Sequence, residues 1–318
     1  MPPEMLFTPV GQTRSSPRAI EATRRAGALE PRRQALQHGL GETGVRGTVL
    51  LAAEGINVAL AGSVAECAAA RAVLDADSAL AGLWLKESRS DTVPFARLKV
   101  RLRKEIIAFD GEDAIARQAA RPAAASLAPE TLAAWLEAGR DITLLDTRNA
   151  YEVASGTFVG ARHLDLEHFG DFDHAARAAI ASGRLDPDRP VVTFCTGGVR
   201  CEKAAPWLRE HGFREVWQIE GGVLNWFERC GDAHWEGNCF VFDARVEIDA
   251  RLAPTGATFC PKCQRAVPAD RACRCASGRP APAGAHRDDA TDGANPDPAS
   301  DAATLDGSQA SRTAIDTV

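Results

Sequence analysis

No apolar run approaches the roughly eighteen residues that a membrane span needs. The basic start (Arg14, Arg18, Arg24, Arg25) is not followed by the apolar segment of a secretory signal, so a cytoplasmic protein without membrane contact is expected. A large charge imbalance is also lacking: 37 basic against 43 acidic side chains leave a net charge of −6, which excludes a histone-like polycation. Residues 277–318 carry seven Asp against three Arg, so the rest of the chain is nearly neutral. Such a body can still bind nucleic acid through a local basic stripe. A disulfide framework is disfavoured by the cysteines, which number nine, an odd count, with four crowded into tight pairs near the end. That pattern favours thiol chemistry or a metal.

The 318 residues are enough for about two domains. The first 46 are Arg- and Ala-rich, with one weakly helical stretch at about 20–38. The text sharpens at Gly47, where residues 47–55 and 56–63 read as two strands joined at Glu54-Gly55, and Ser63 caps a helix to about Leu74. Residues 95–107 alternate strictly, with Arg97, Lys99, Arg101 and Arg103 on one face and Ala96, Leu98, Val100 and Leu102 on the other, which predicts a half-buried strand with a basic outer face. Together these elements suggest a small α+β sandwich of the ferredoxin-like or acylphosphatase-like kind at 1–110, with 1–46 atypical. Residues 111–125 read as a linker. At 126–232, strands alternating with helices argue for a parallel α/β sheet: a helix at 130–137, a strand at 142–145, an apolar strand at 191–194, a helix at 201–211 and a strand at 215–219. A Cys-containing extension follows at 233–276. The acidic tail at 277–318, rich in Pro, Gly, Ala, Ser and Asp, is expected to be disordered.

The most specific feature is the loop Cys195-Thr196-Gly197-Gly198-Val199-Arg200, delivered by the apolar strand and ending at a helix start. Unpaired N–H groups and the positive end of the helix dipole favour an anion there, which lowers a thiol pKa. Gly197 and Gly198 let the loop curl around the sulfur, and Arg200 closes it with a permanent charge. The expected product is a thiolate nucleophile at Cys195, against the plainer reading of an inert buried cysteine on a glycine turn. Cys201, directly after Arg200, reads equally as a second redox thiol or as a packing cysteine.

Cys195 to Arg200 resembles the active loop of the rhodanese domain, a Cys, four residues, then Arg. Upstream, Asp146-Thr-Arg148, Glu152 and Gly156-Thr-Phe-Val-Gly160-Ala resemble that domain's signature, and Glu220-Gly-Gly-Val-Leu-Asn-Trp226 resembles its closing motif. The resemblance implies a cysteine that carries sulfur as a persulfide. Phosphatases of the same fold use a loop one residue longer, which disfavours phosphatase activity.

A longer resemblance joins both halves. GTVLLAAEGINVALAG (47–62), PFARLKVRLRKEII (94–107), CTGGVRCEKA (195–204) and WEGNCFVFDAR (235–245) are similar to the bacterial tRNA wobble-uridine hydroxylase family. The resemblance implies oxygen-dependent conversion of uridine 34 in tRNA to 5-hydroxyuridine, with molecular oxygen as co-substrate, Cys195 required and the tRNA anticodon loop as partner; no nucleotide cofactor is seen in the sequence. A sulfur donor is a further partner in view. The two alternatives are a thiosulfate-type sulfurtransferase and a non-catalytic persulfide carrier. Arg97, Lys99, Arg101 and Arg103 would then grip RNA backbone, or else form a solvated strand face. The family opens with an aromatic-rich first strand, whereas residues 5–16 here are polar and irregular, as if that strand were lost or replaced.

Cys260, Cys263, Cys273 and Cys275 form C-x2-C-x9-C-x-C. Four thiolates suit structural zinc, against a redox cluster or a decayed site. His163-Leu-Asp165 has the spacing of an iron facial triad but falls within the rhodanese signature, and a structural role is favoured.

Overall fold

The computed structural model describes residues 5–12, 29–81, 83, 85, 88–90, 92–109, 125–273 and 275. Most of the expected linker and the whole acidic tail lie outside them.

In the N-terminal half, β1 (Met5–Gln12), α1 (Leu29–Glu42), β2 (Arg46–Ala52), β3 (Gly55–Ser63), α2 (Val64–Ala76), β4 (Ser88–Ser90) and β5 (Leu98–Leu102) build a five-stranded sheet of order β4-β1-β3-β2-β5. β2 and β3 are the expected hairpin. Ser63 caps α2 through a capping box with Glu66, its hydroxyl accepting from Glu66 N and its N–H donating to the Glu66 carboxylate. Leu36 and Leu40 of α1 and Ala70 and Leu74 of α2 bury against Val49, Leu51, Val58 and Val100.

Three expectations need correction. The first strand is not lost: β1 pairs antiparallel with β3 on one side and β4 on the other, with a register shift between Thr8 and Gly11. Pro9 falls in that bulge, where a residue without an N–H breaks no ladder bond, which is why this stretch reads as irregular. The basic strand is shorter than 95–107, ending at Leu102, whose side of the strand has opened to 38% exposure. It is also a fifth strand rather than the fourth of a ferredoxin-like set: β4 takes that fourth place, and β5 joins the far edge, parallel to β2. Gln37 Oε1 of α1 accepts from Val100 N at 3.2 Å, covering part of the edge that β5 would otherwise expose.

The second half opens with β6 (Ala125–Leu127), α3 (Pro129–Glu137), β7 (Thr143–Asp146), α4 (Ala150–Val153), β8 (Gly156–Phe158) and β9 (Arg162–His163). A 3-10 turn (Phe169–Asp171) leads into α5 (Phe172–Ala181), β10 (Val191–Phe194), α6 (Cys201–Glu210), β11 (Val216–Ile219) and α7 (Gly222–Cys230). The sheet β6-β11-β10-β7-β9 is wholly parallel. Alternation along its strands divides the core: Leu144, Val192 and Phe194 meet Leu132 of α3 and Val223 and Trp226 of α7, while Leu145 and Val191 meet Phe172 and Ala176 of α5 and Trp207 and Leu208 of α6. Helices on both faces leave the C-terminal strand ends free to carry chemistry, as in other open parallel sheets.

Beyond α7, β12 (Trp235–Gly237) pairs antiparallel with β8, setting Trp235 opposite Phe158. Phe158 makes edge-to-face contacts with Phe194, Trp226 and Trp235 at centroid distances of 4.9, 4.8 and 5.1 Å. Trp235 thereby anchors the extension in the core of the second half. β13 (Cys239–Phe240) pairs with β14 (Glu247–Ile248), and β15 (Thr258–Phe259) with β16 (Ala266–Val267). Among the described residues no helix is long and apolar enough to cross a membrane.

Candidate active site at the sulfur loop

β10 is buried along its whole length and ends at Phe194, just before Cys195, which is 1% exposed. Gly198, in the left-handed region at φ 89°, donates its N–H to Cys195 Sγ at 2.9 Å. The N–H groups of Arg200 and Cys201, at the start of α6, also point at the sulfur. Burial pushes the Cys195 thiol up. A hydrogen bond from the Cys201 thiol, the Arg200 charge and the two N–H groups outweigh it and bring Cys195 down to about 6. Cys201 moves the other way, raised by burial and by Cys195, so it stays protonated and acts as the donor. Thr196, Gly197 and Gly198 are buried and Val199 half-buried.

Arg200 does not reach the sulfur as a free cation. Its guanidinium forks onto Glu152, with one nitrogen donating to Oε2 and the other to Oε1 at 2.7 Å, and both side chains are buried. Thr196 Oγ1 donates to the same carboxylate at 3.2 Å, as does Asn149 N at 3.0 Å, so Glu152 ties α4 to the loop. One step below, Asp146 at the end of β7 receives Arg148 through Nε and Nη2. Arg148 also donates to Gly156 O at 2.7 Å and lies 5.2 Å from the Trp235 ring centroid. Both members of that pair are fully buried.

The loop is held from below by α7. Val223 N donates to Cys195 O and Leu224 N to Thr196 O, at 3.0 and 3.1 Å. A Cβ at Gly222 would stand 2.4 Å from Cys195 O and 2.7 Å from Gly198 N, and its φ is +63°. Only glycine lets the helix approach this closely.

α6 also meets the N-terminal half. Lys203 Nζ is buried between Glu54, 3.1 Å away, and Glu105, and donates to Ile107 O at 2.8 Å. Glu54 accepts in turn from Ile106 N, and Phe109 stacks on Phe169 at 5.2 Å. Glu54, Glu105 and Lys203 stood in the sequence only as members of quoted motifs, and nothing there signalled their pairing, because the partners are distant along the chain. Glu152 was visible only as a member of a motif.

Of the basic residues, Lys99 and Arg101 lie on β5 and Arg97 and Arg103 flank its ends; Arg97 is exposed, and Lys99, Arg101 and Arg103 are half-buried. His163 Nδ1 lies 3.1 Å from Asp165 Oδ1, and both side chains are well exposed. Among the described residues, Cys260, Cys263, Cys273 and Cys275 form the one cluster of three or more metal-type ligands, their sulfurs all within 4.8 Å of one another. Cys260 opens a knuckle after β15 in which Gln264 N donates to Cys260 O and Cys260 N to Arg265 O. The sulfur separations of 3.5, 3.4 and 3.2 Å leave all four cysteines free of disulfides. A tetrahedral ion with Zn–S of about 2.3 Å asks for separations of about 3.8 Å, close to those found.

A parallel sheet that delivers a cysteine into a six-residue loop closed by an arginine defines a rhodanese-like domain, and a family model described as a rhodanese-like domain matches residues 128–229. A second model, the UPF0176 acylphosphatase like domain, matches residues 25–106. The tRNA uridine(34) hydroxylase of Bordetella petrii is 49% identical over 222 residues, spanning 68% of this chain and 86% of that protein. That of a Xanthomonas campestris strain is 46% identical over 220 residues, spanning 67% and 83%. The chain belongs to the tRNA uridine(34) hydroxylase family. Among solved structures, the polysulfide-sulfur transferase homodimer from Wolinella succinogenes is similar over 36% of this chain and 80% of its own, at 31% identity and a TM-score of 0.29.

Proposed function

We propose that this chain hydroxylates uridine 34 of tRNA to 5-hydroxyuridine, with molecular oxygen as co-substrate and Cys195 as the essential thiolate. Kinship with the Bordetella and Xanthomonas tRNA uridine(34) hydroxylases carries this reading. A thiol brought down to about 6 is mostly thiolate at neutral pH, as a nucleophile or sulfur carrier requires. The N–H groups of Gly198, Arg200 and Cys201 stabilise negative charge at the sulfur. Arg97, Lys99, Arg101 and Arg103 follow β5, where same-face side chains recur at about 6.6–7 Å, comparable with phosphate spacing along RNA. They supply the backbone grip while an unpaired anticodon base enters the loop region.

Cys260, Cys263, Cys273 and Cys275 would hold a zinc ion with a structural role, tying the end of the extension to its knuckle.

The test is mass spectrometry of nucleosides from bulk tRNA of an aerated deletion strain carrying the wild-type gene, Cys195→Ser or empty vector. Recovery of 5-hydroxyuridine derivatives with wild type alone supports the proposal. A level that never depends on the gene overturns it in favour of a small-molecule sulfurtransferase.

A further inference from the structure

The turn between β13 and β14 is built more tightly than a surface connection needs. Asp243 receives Arg245 through its backbone N–H, Nε and Nη2, and both residues are buried. Val241 N donates to Val246 O at 2.9 Å and Val246 N to Asp243 O at 3.0 Å. Val246 stands at φ 60°, a region that β-branched residues rarely enter. Such a conformation persists where its surroundings over-determine it, and it concentrates at ligand sites.

The side chain this turn presents is Phe242. Its ring is half-buried, whereas neighbouring Phe240 is 3% exposed. Phe240 holds it edge-to-face at 5.4 Å and is itself held by Tyr151 at 5.2 Å. The Arg200 guanidinium lies over the Phe242 ring, 5.9 Å from its centroid. Ala244 N donates to Pro94 O of the N-terminal half at 3.1 Å. The ring therefore sits where the sulfur loop, the extension and the N-terminal half converge, packed on Phe240 and Arg200 and still partly open.

A flat base taken from a single-stranded RNA loop is recognised by stacking on an aromatic ring, and a nearby guanidinium adds to that attraction. We infer that Phe242 is the stacking face on which the target uracil lies beside Cys195. The inference rests on the proposed tRNA substrate and adds the residue that receives its base.

The test uses the full-length protein and two synthetic anticodon stem-loops, identical except for uridine or an abasic site at position 34, with binding read by fluorescence anisotropy. Wild type should bind the uridine RNA about tenfold more tightly, the scale of one base stacked on one aromatic ring. Phe242→Leu should lose that preference while keeping its affinity for the abasic RNA, and Phe242→Trp should retain it. Iodoacetamide labelling of Cys195 at an unchanged rate in both variants shows the loop intact. The inference is overturned if wild type does not distinguish the RNAs, if Phe242→Leu keeps the full preference, or if it weakens both RNAs alike. The function proposal fails separately, if cells carrying only Cys195→Ser still make 5-hydroxyuridine.

Discussion

Lys203 Nζ lies 3.1 Å from Glu54 Oε2, a buried ion pair joining the β2–β3 turn to the first helical turn after the sulfur loop. Glu105 completes the contact from the segment following β5. The half of the chain that bears the basic strand is thereby pinned to the helix whose N-terminus faces Cys195. Burial raises the Glu54 carboxyl, and Lys203 opposes that shift.

Lys203→Met should therefore deprive the buried Glu54 and Glu105 carboxylates of the Lys203 cation. Breaking a buried pair by removing one partner costs about 3–5 kcal/mol. The sign of the pH dependence follows from Glu54. A carboxyl whose folded pKa lies above its unfolded value contributes stability at low pH and loses it as pH rises through the folded value. Without Lys203 that rise is larger, so the stability gap between variant and wild type should widen from pH 5 to pH 8. Urea unfolding at the two pH values checks this, and Lys203→Arg should recover most of the loss.

Cys195 should react with iodoacetamide as a thiolate, its rate falling as pH drops through about 6. Cys201→Ala removes the neighbouring thiol donor and should move the inflection upward by roughly one unit, the scale on which a charge-assisted hydrogen bond acts. Glu152→Gln acts oppositely: with its carboxylate neutralised, the Arg200 charge bears more fully on the sulfur, and the inflection should fall. Rate profiles from pH 4 to pH 9, read by mass spectrometry of the Cys195 peptide, distinguish the two. A profile unmoved by either change would mean that neither group bears on the sulfur.

The sulfur loop was legible because its chemistry is local: strand, glycines, arginine and helix start lie within about fifteen residues, and each constrains the same backbone. The hairpin at Glu54-Gly55 and the Ser63 cap were legible for the same reason. β1 was not, since Pro9 and Gly11 interrupt its pattern while its pairing with β3 depends on backbone bonds that no side chain advertises. The extent of β5 was misread because alternation continues in the sequence past Leu102, whereas the chain leaves the sheet to place Ile107 and Phe109 against the second half. Trp235 carried no readable role until β12 was seen beside β8.

Gly222→Ala tests how closely α7 supports the loop. The added Cβ would meet Cys195 O at 2.4 Å at a φ of +63°. Left-handed backbone costs a non-glycine residue about 1–2 kcal/mol, and overpacking adds about 1–3 kcal/mol. Gly139, at φ +64° with nothing within 4 Å, is the matched control that carries the first cost alone. Gly222→Ala should therefore destabilise more than Gly139→Ala and should also slow Cys195 alkylation, which the control leaves unchanged. Equal effects at both positions would show that the loop yields to the methyl group.

The four-cysteine cluster is expected to carry one zinc per chain, measured by elemental analysis of protein purified without added chelator. Its sulfurs already converge to 3.2–3.5 Å in three pairs, and four thiols held this near one another without an ion would repel as they ionise. Cys263→Ser should drop the zinc content to near zero. The knuckle is remote in sequence from the sulfur loop, and the extension is anchored separately through Trp235 and Phe158. Loss of zinc should thus loosen the segment after β14, seen as faster proteolysis between residues 255 and 275, while Cys195 alkylation keeps its pH profile. A wild-type protein free of zinc, with the four thiols titrating freely in a thiol assay, would overturn the metal assignment and leave the cluster as a set of exchangeable thiols.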